Sequence, residues 1–346
     1  MTVKMRVHTI PQRRRTATIP HSNCYAVETE DGRIALVDPG TDMPGNWEAL
    51  VEGLTSFGHG IDDVAVVCCT HLHSDHMGLA NRVRSETGAL VALHIAEQRA
   101  ILELGSQVRR YPEELEAWGV PTRLAATILE SFVGQDTESA LDADLLVVDG
   151  DPVAPGMTEL VVVATPGHTP GHICLVDQAG RRLFAGDHLL PEIVPGVGLG
   201  GAFDRNPIAV CFDSLARVEQ YDGFEILPGH EYGFDGVIRR AEEIRRHHLR
   251  RTAEAAAAVA AHPAESVYGI ASRLPWSKGW DGLPGRHLYS ALNQTAFRME
   301  FAASREYAIE VARRAPRRAP SSAEPRSALD RGPTTGRREP RRSEQQ

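Results

Sequence analysis

THLHSDHMG, Thr70 to Gly78, decides how this chain is read. It places His71, His73, Asp75 and His76 within six positions. Crowding groups that lose hydration when brought together gives a chain no stability, so the run needs another reason. The apolar run DVAVVCC precedes it and the pattern MGLANRVRSETG follows it. The first predicts a strand buried on both faces, the second a helix closed by Gly88. In extended backbone, residues i and i+2 point to one side, so His71 and His73 can grip one cation together. The chain then turns, and Asp75 and His76 open the helix facing a second point. Imidazole and carboxylate suit zinc and related divalent ions.

Further out, three segments repeat the arrangement. TPGHTPGH offers His168 or His172 after the run ELVVVA, FAGDH offers Asp187 after RRLFA, and LPGHEY offers His230 after FEIL. Each candidate follows a short apolar run and one or a few turn residues. In a sandwich of buried strands these points lie along one edge, where loops held by rigid strands converge. Four segments each donating a polar residue just past a strand would be odd for folding alone.

The rest of the chain alternates strands and helices. NCYAVE and RIALVD predict a hairpin around Glu30-Asp31-Gly32, NWEALVEGLTSFG a helix, and ALVALH and HICLVD further strands. Ile95 to about Ala140 reads as a helical insertion broken at Pro112, Gly119 and Pro121, placed to roof a site. Asn206-Pro207 opens a helix whose apolar stripe is Ile208, Cys211, Leu215 and Val218. Beyond Tyr232 a long helix is expected over Gly236–Ala261, then a Pro/Trp/Gly-rich stretch to Gly285 and a single last helix, LYSALNQTAFRMEFAASREYAIEVA. The expected organisation is a catalytic domain over 1–235, a helical region over 236–314 and a disordered tail over 315–346.

Composition narrows the class. The chain has 346 residues, 42% of them hydrophobic, enough for a sizeable core. No apolar run approaches the ~20 residues of a membrane helix, and the N-terminus lacks the apolar core of a secretory signal. The five cysteines are odd in number, without CxxC spacing, and several lie in apolar runs. They read as reduced thiols of a cytoplasmic protein. The net charge is −9, yet the segment from Arg313 onward carries ten arginines against four carboxylates, so the preceding body is still more acidic. That body has no general footprint for nucleic acid. The tail is rich in Pro, Arg and Ser and cannot offset its ordering entropy by burial.

With these motifs the sequence resembles the metallo-β-lactamase superfamily, in the hydrolase branch that includes glyoxalase II. H-x-H-x-D-H at His71–His76, Gly167-His168, Gly186-Asp187 and Pro228-Gly229-His230 occur in the family's order, and Asp38 in VDPG matches an early Asp-x-Gly loop. The resemblance covers about Val7 to Tyr232. It implies a four-layer αββα sandwich, an α/β fold of the α+β kind, here with a helical C-terminal region. It also implies two divalent metal ions, zinc first, with Mn2+ or Fe2+ as alternatives. His71, His73 and His168 would hold one ion and Asp75, His76 and His230 the other, with Asp187 bridging. GDHLLP, NPIAVCFDSL and the helix containing His247-His248 look like a narrower group, one branch of which includes a mitochondrial single-strand endoribonuclease. The acidic body and arginine-rich tail depart from that group.

Other residues weigh differently. His172 begins a strand and reads as structural. His188 follows Asp187 and is a candidate for orienting it. Asp38 divides between stabilising its turn and supporting the site. His248 keeps helical register with Val237, Ala241 and Ile244, which favours core packing over a site role. Tyr232 is a candidate donor to an oxyanion. His94, Trp276 and Trp280 read as packing, and Arg13–Arg15 as a solvated surface run.

The function expected is metal-dependent hydrolysis by a hydroxide held between two ions, with Asp75 as the catalytic residue that holds it and shuttles its proton. The substrate expected is a small molecule, a thioester or other acyl ester. Single-stranded RNA or another phosphodiester is the alternative, favoured only by the arginine tail. Less favoured are a mononuclear-iron persulfide dioxygenase, which needs only part of the ligand set, and a metal-binding protein without turnover.

Overall fold

The computed structural model describes residues 5–14, 19–132 and 141–314. Strands β1 (Val7–Arg13), β2 (His21–Glu28), β3 (Ile34–Val37), β4 (Val64–Cys68), β5 (Leu90–His94) and β6 (Leu145–Val147) form one sheet in that order. Strands β7 (Leu160–Ala164), β8 (Ile173–Asp177), β9 (Arg182–Gly186) and β10 (Glu225–Pro228) form a second, ordered β10-β9-β8-β7. Helices α1 (Asn46–Phe57), α2 (Ser74–Met77) and α3 (Ala80–Thr87) belong to the first half, and α4 (Ile95–Val108), α5 (Tyr111–Ala117) and α6 (Thr122–Glu130) to the insertion. Then come α7 (Pro207–Val218), α8 (Val237–Ala261), α9 (Val267–Ala271), α10 (Gly285–Ala302) and α11 (Arg305–Arg314).

Side-chain alternation along the strands builds the layers. On β2, Tyr25 and Val27 point into a core shared with Ile173, Leu175 and Phe184 of the other sheet. Cys24 and Ala26 of the same strand point outward, against Leu50 and Leu54 of α1 and Val83 of α3. On the far side, Val163, Cys174 and Val176 pack with Ile208 and Leu215 of α7 and Ile244 of α8. The result is helix, sheet, sheet, helix: the αββα architecture the sequence leads one to expect. All five cysteines are buried and free.

Both strands missing from the sequence-based expectation, β1 and β6, are edges of the larger sheet. β1 carries Pro11, which an edge tolerates because no second neighbour needs its absent donor. β6 spans only three residues, and its Leu146 is exposed. The expected single last helix is two, α10 and α11. The chain breaks at Ser304, whose hydroxyl accepts the Tyr307 N–H at 3.1 Å and so caps the second piece. The insertion leaves β5 and returns to its neighbour β6; its end at 133–140 and the tail at 315–346 lie outside the described residues. α5 and α6 share a small core with α9 and α10, built on Leu115, Ile128, Leu288 and Leu292. Insertion and C-terminal helices therefore form one helical layer.

The second sheet is directional. β8 is antiparallel to both β7 and β9, and β10 is parallel to β9, so β7, β9 and β10 end on one edge. The loop after β4 meets that edge, and the Ile173 N–H donates to the Thr70 carbonyl at 2.9 Å.

Candidate metal centre

Seven side chains from these four strand ends come together. His71, His73, His168 and Asp187 form one group and Asp75, His76 and His230 another, with donor atoms in each group within 4.8 Å of one another. His73 Nδ1 lies 2.9 Å from His71 Nε2 and 3.2 Å from His168 Nε2. His76 Nε2 and His230 Nε2 are 3.2 Å apart. Asp187 joins the groups. Its Oδ2 faces His168 Nε2 at 3.5 Å, while its Oδ1 faces His230 Nε2 at 3.3 Å and His76 Nε2 at 3.5 Å. Asp75 Oδ2 is 3.4 Å from His230 Nε2. These separations match ligands arranged tetrahedrally around a cation at ~2.0–2.1 Å, which stand ~3.3 Å apart.

The surroundings orient the rings. The Thr70 hydroxyl donates to Asp38 Oδ2 at 2.7 Å, so its oxygen accepts from His71 Nδ1 at 3.0 Å. His76 Nδ1 donates to Asp38 Oδ2 at 2.9 Å, His168 Nδ1 to the Gly196 carbonyl at 2.7 Å, and His230 Nδ1 to the His21 carbonyl at 3.0 Å. With the Nδ1 proton assigned to those acceptors, four Nε2 lone pairs converge on the centre. Asp187 Oδ1 is buried there without a hydrogen-bond partner, and Asp75 Oδ2 is met by the Arg14 guanidinium at 2.7 Å. Lone pairs and carboxylate oxygens pointed at one another repel, and divalent cations would compensate them, so this donor set fits such ions. The space is kept open by Gly229, where a Cβ would come within 2.7 Å of Asp187 Oδ1 and of the His76 ring.

Burial, reinforced by neighbouring imidazoles, holds His71 well below the usual histidine range and pushes His73 down to about 3. Burial also lowers His168. Burial works the same way on His76, but Asp187, Asp75 and Asp38 outweigh it and raise His76 to about 9. Burial raises Asp187 and Asp75, yet the facing histidines and, for Asp75, Arg14 reverse it and hold both carboxyls low. His71, His73 and His168 are thereby neutral beside ionised carboxylates, the protonation states that ligate metals, whereas His76 would have to give up a proton to ligate one.

Asp38 is almost fully buried, accepts from the Thr70 N–H at 2.7 Å, and adopts φ 53°. A non-glycine residue in that left-handed region is strained, and here it supports one histidine of each group. His172 does not join the ligands. Its Nε2 accepts the Asp187 N–H at 3.0 Å, and its Nδ1 meets the Thr165 hydroxyl at 2.9 Å. The position expected of His188 therefore belongs to His172. His188 instead turns its ring toward the backbone of Ser214 on α7. Tyr232 is exposed, and its hydroxyl donates to Glu192 at 2.9 Å. His248 is buried beside Phe212, in the core between α7 and α8. Trp276 lies between Arg251 and Arg298, and Trp280 joins the helical core.

Three contacts escaped the sequence. Thr70 is the relay from Asp38 to His71. Arg14, within a triplet that reads as surface, brings Nε to 2.7 Å from Asp75 Oδ2. Asn46 anchors it by accepting the Arg13 N–H at 2.9 Å. Glu97, in the first turn of α4, reaches two of the ligand loops. Only the position of Thr70 beside the motif was a signal.

A cavity of about 960 Å3 opens from this cluster. Arg14, His73 and Asp75 line its inner end; Tyr111 of α5 and Tyr289 and Phe297 of α10 line its outer wall. No helix among the described residues is long and apolar enough to cross a membrane.

Comparison with known proteins agrees with this architecture. The family model of the metallo-beta-lactamase superfamily matches residues 17–230. A probable metallo-hydrolase of Bacillus subtilis, YqjP, is 26% identical over 234 residues, covering 62% of this chain and 72% of its own. A beta-lactamase-like protein 2 homolog of Caenorhabditis elegans is 26% identical, covering 75% of this chain and 74% of its own. The crystal structure of a metallo-beta-lactamase family protein from Thermus thermophilus is 25% identical, with TM-score 0.67, covering 88% of this chain and 94% of its own.

Proposed function

The chain belongs to the metallo-beta-lactamase superfamily, and on that premise we propose that it is a hydrolase with two divalent ions, zinc by preference, acting on a thioester or other small acyl ester. The carrying observation is Asp187, whose two oxygens face two separate ligand groups. His71, His73 and His168 would hold one ion, Asp75, His76 and His230 the other, and Asp187 both. Bound there, the ions would acidify a shared water and polarise the acceptor oxygen.

The chain's own groups supply the rest. Asp38 and Thr70 keep His71 and His76 in the tautomer that points Nε2 inward. Asp75 lines the cavity, so its carboxylate can take the proton of the attacking water and return it to the leaving group. The Arg14 guanidinium, on the same wall, offers N–H donors to negative charge developing on the acceptor oxygen. The cavity has the size of small-molecule pockets, ~300–1,000 Å3, and Tyr111, Trp118, Phe132, Tyr289 and Phe297 supply an aromatic stretch of its wall. The arginine-rich segment after Arg314 supports the second reading, a phosphodiester such as single-stranded RNA.

Elemental analysis of protein purified without chelator, beside a screen of thioesters, lactones, β-lactams and short RNAs, tests the proposal. About two divalent ions per chain and turnover of thioesters are expected. A single tightly held iron that leaves the second group unfilled would remove the two-metal reading, and turnover of RNA alone would replace the ester.

A further inference from the structure

Glu97 is fully buried yet belongs to neither ligand group. Its carboxylate is divided between two loops. Oε2 accepts the N–H of Leu72, the residue between His71 and His73, at 2.7 Å. Oε1 accepts the N–H of Gly171, in the loop that carries His168. An acidic residue in a first helical turn is commonly there for the helix's own free N–H groups and dipole. Glu97 spends both oxygens on other segments instead.

The seating of that loop explains the second glycine of TPGHTPGH. A Cβ on Gly171 would lie 2.6 Å from the Glu97 backbone nitrogen and 2.8 Å from His94 Nδ1. Only glycine lets the loop approach the start of α4 so closely. His94 caps the same helix by accepting the Ala96 N–H at 3.2 Å. Further along, Leu104, Gln107 and Val108 of α4 line the cavity.

We propose that Glu97 is a positioning residue of the metal centre: its carboxylate clamps the loop bearing His71 and His73 to the loop bearing His168. The clamp sets the spacing of the first ligand group and ties it to the helix that forms one wall of the cavity. Burial pushes the Glu97 carboxyl up to about 7 against the pull of the Gly171 and Leu72 N–H groups, and in its ionised form these bonds are of the stronger, charge-assisted kind. The inference rests on reading that group as a metal site.

The test uses the full chain stripped of metal and titrated with Co2+, whose visible absorption reports ligand geometry, and with Zn2+. Wild type, Glu97→Gln and Glu97→Ala are compared, with far-UV circular dichroism as the check on folding. Glu97→Ala is expected to bind metal about ten- to a hundredfold more weakly and to change the Co2+ spectrum. Glu97→Gln, which keeps one acceptor, should fall between. If wild type itself takes up no metal, the metal-centre reading fails and this inference with it. If wild type binds and both variants match it in affinity and spectrum, the clamp alone is overturned. Hydrogen exchange on metal-free wild type decides the matter if the variants do not fold. The amides of Leu72 and Gly171 should be protected, and exchange at open-loop rates would overturn the clamp.

Discussion

Asp187 concentrates the chemistry of this chain in one small side chain. Its oxygens face His168 on one side and His76 and His230 on the other. Asp187→Asn keeps the shape and removes the charge that would offset two cations. The expected result is lower occupancy of the second metal and activity reduced at least ~100-fold, with the fold kept, since the strands around it are apolar. His172→Ala should keep near-normal metal content, because His172 meets the centre through the Asp187 N–H and by ring packing on His71 and His168, not as a ligand. Metal content, circular dichroism and turnover, measured together for both variants, check this. Metal lost in His172→Ala but retained with full turnover in Asp187→Asn would reverse the two roles. The ligand candidates were legible in sequence because each follows an apolar run, so strand ends could be read as one edge. Arg14 and Glu97 were not. Their partners stand 61 residues on for Arg14, and for Glu97 25 residues back and 74 on, and no local period announces such a pairing.

The elements show the same division. Strands packed on both faces, such as β4 and β9, announce themselves as continuous apolar runs, whereas β1 and β6 do not, because an edge needs less burial and tolerates Pro11. The stripe of α8 was also legible: His248 lies in the core beside Phe212, with both ring nitrogens unpartnered. Burial pushes it down to about 3, so the folded protein keeps it neutral where the unfolded chain would protonate it. Its contribution is therefore fully present above the ordinary histidine value near 6.5 and is lost as pH falls from there toward 3. The slope reaches about 1.4 kcal/mol per pH unit. Melting temperature should drop between pH 7 and pH 5, and less steeply in His248→Leu; equal slopes would show that the ring gains a proton in place. At the C-terminus, Arg314 closes α11 onto α8 by pairing with Glu242 at 2.9 Å. Removing residues 315–346 should leave the melting temperature nearly unchanged, whereas removing 305–346 should lower it by several degrees. A large drop from the shorter deletion would mean that the segment after Arg314 docks on the body.

At the scale of the whole molecule, the sandwich supplies the metal centre and the helical layer supplies the far wall of the cavity. Its two ends should therefore fail differently when altered. Arg14 stands at the inner end beside Asp75, where charge would develop during the reaction. Tyr111 stands at the outer end, its ring tilted against that of Tyr289 at 4.4 Å between ring centres. A group that meets the substrate equally in ground and transition states changes KM, and one engaged only as charge develops changes kcat. Tyr111→Ala should raise KM for the best ester found by roughly two- to tenfold, the worth of one aromatic contact. Its kcat and metal content should stay near wild type. Arg14→Ala should instead lower kcat on the order of 100-fold, with Arg14→Lys recovering part of it, because a single ammonium keeps the charge but not the planar fork of donors. Steady-state kinetics with metal analysis on the three variants reads both effects at once. If Tyr111→Ala leaves KM unchanged for every ester turned over, the substrate does not lie along the aromatic wall. If Arg14→Ala loses metal in proportion to activity, its guanidinium holds Asp75 in place rather than meeting the reacting oxygen.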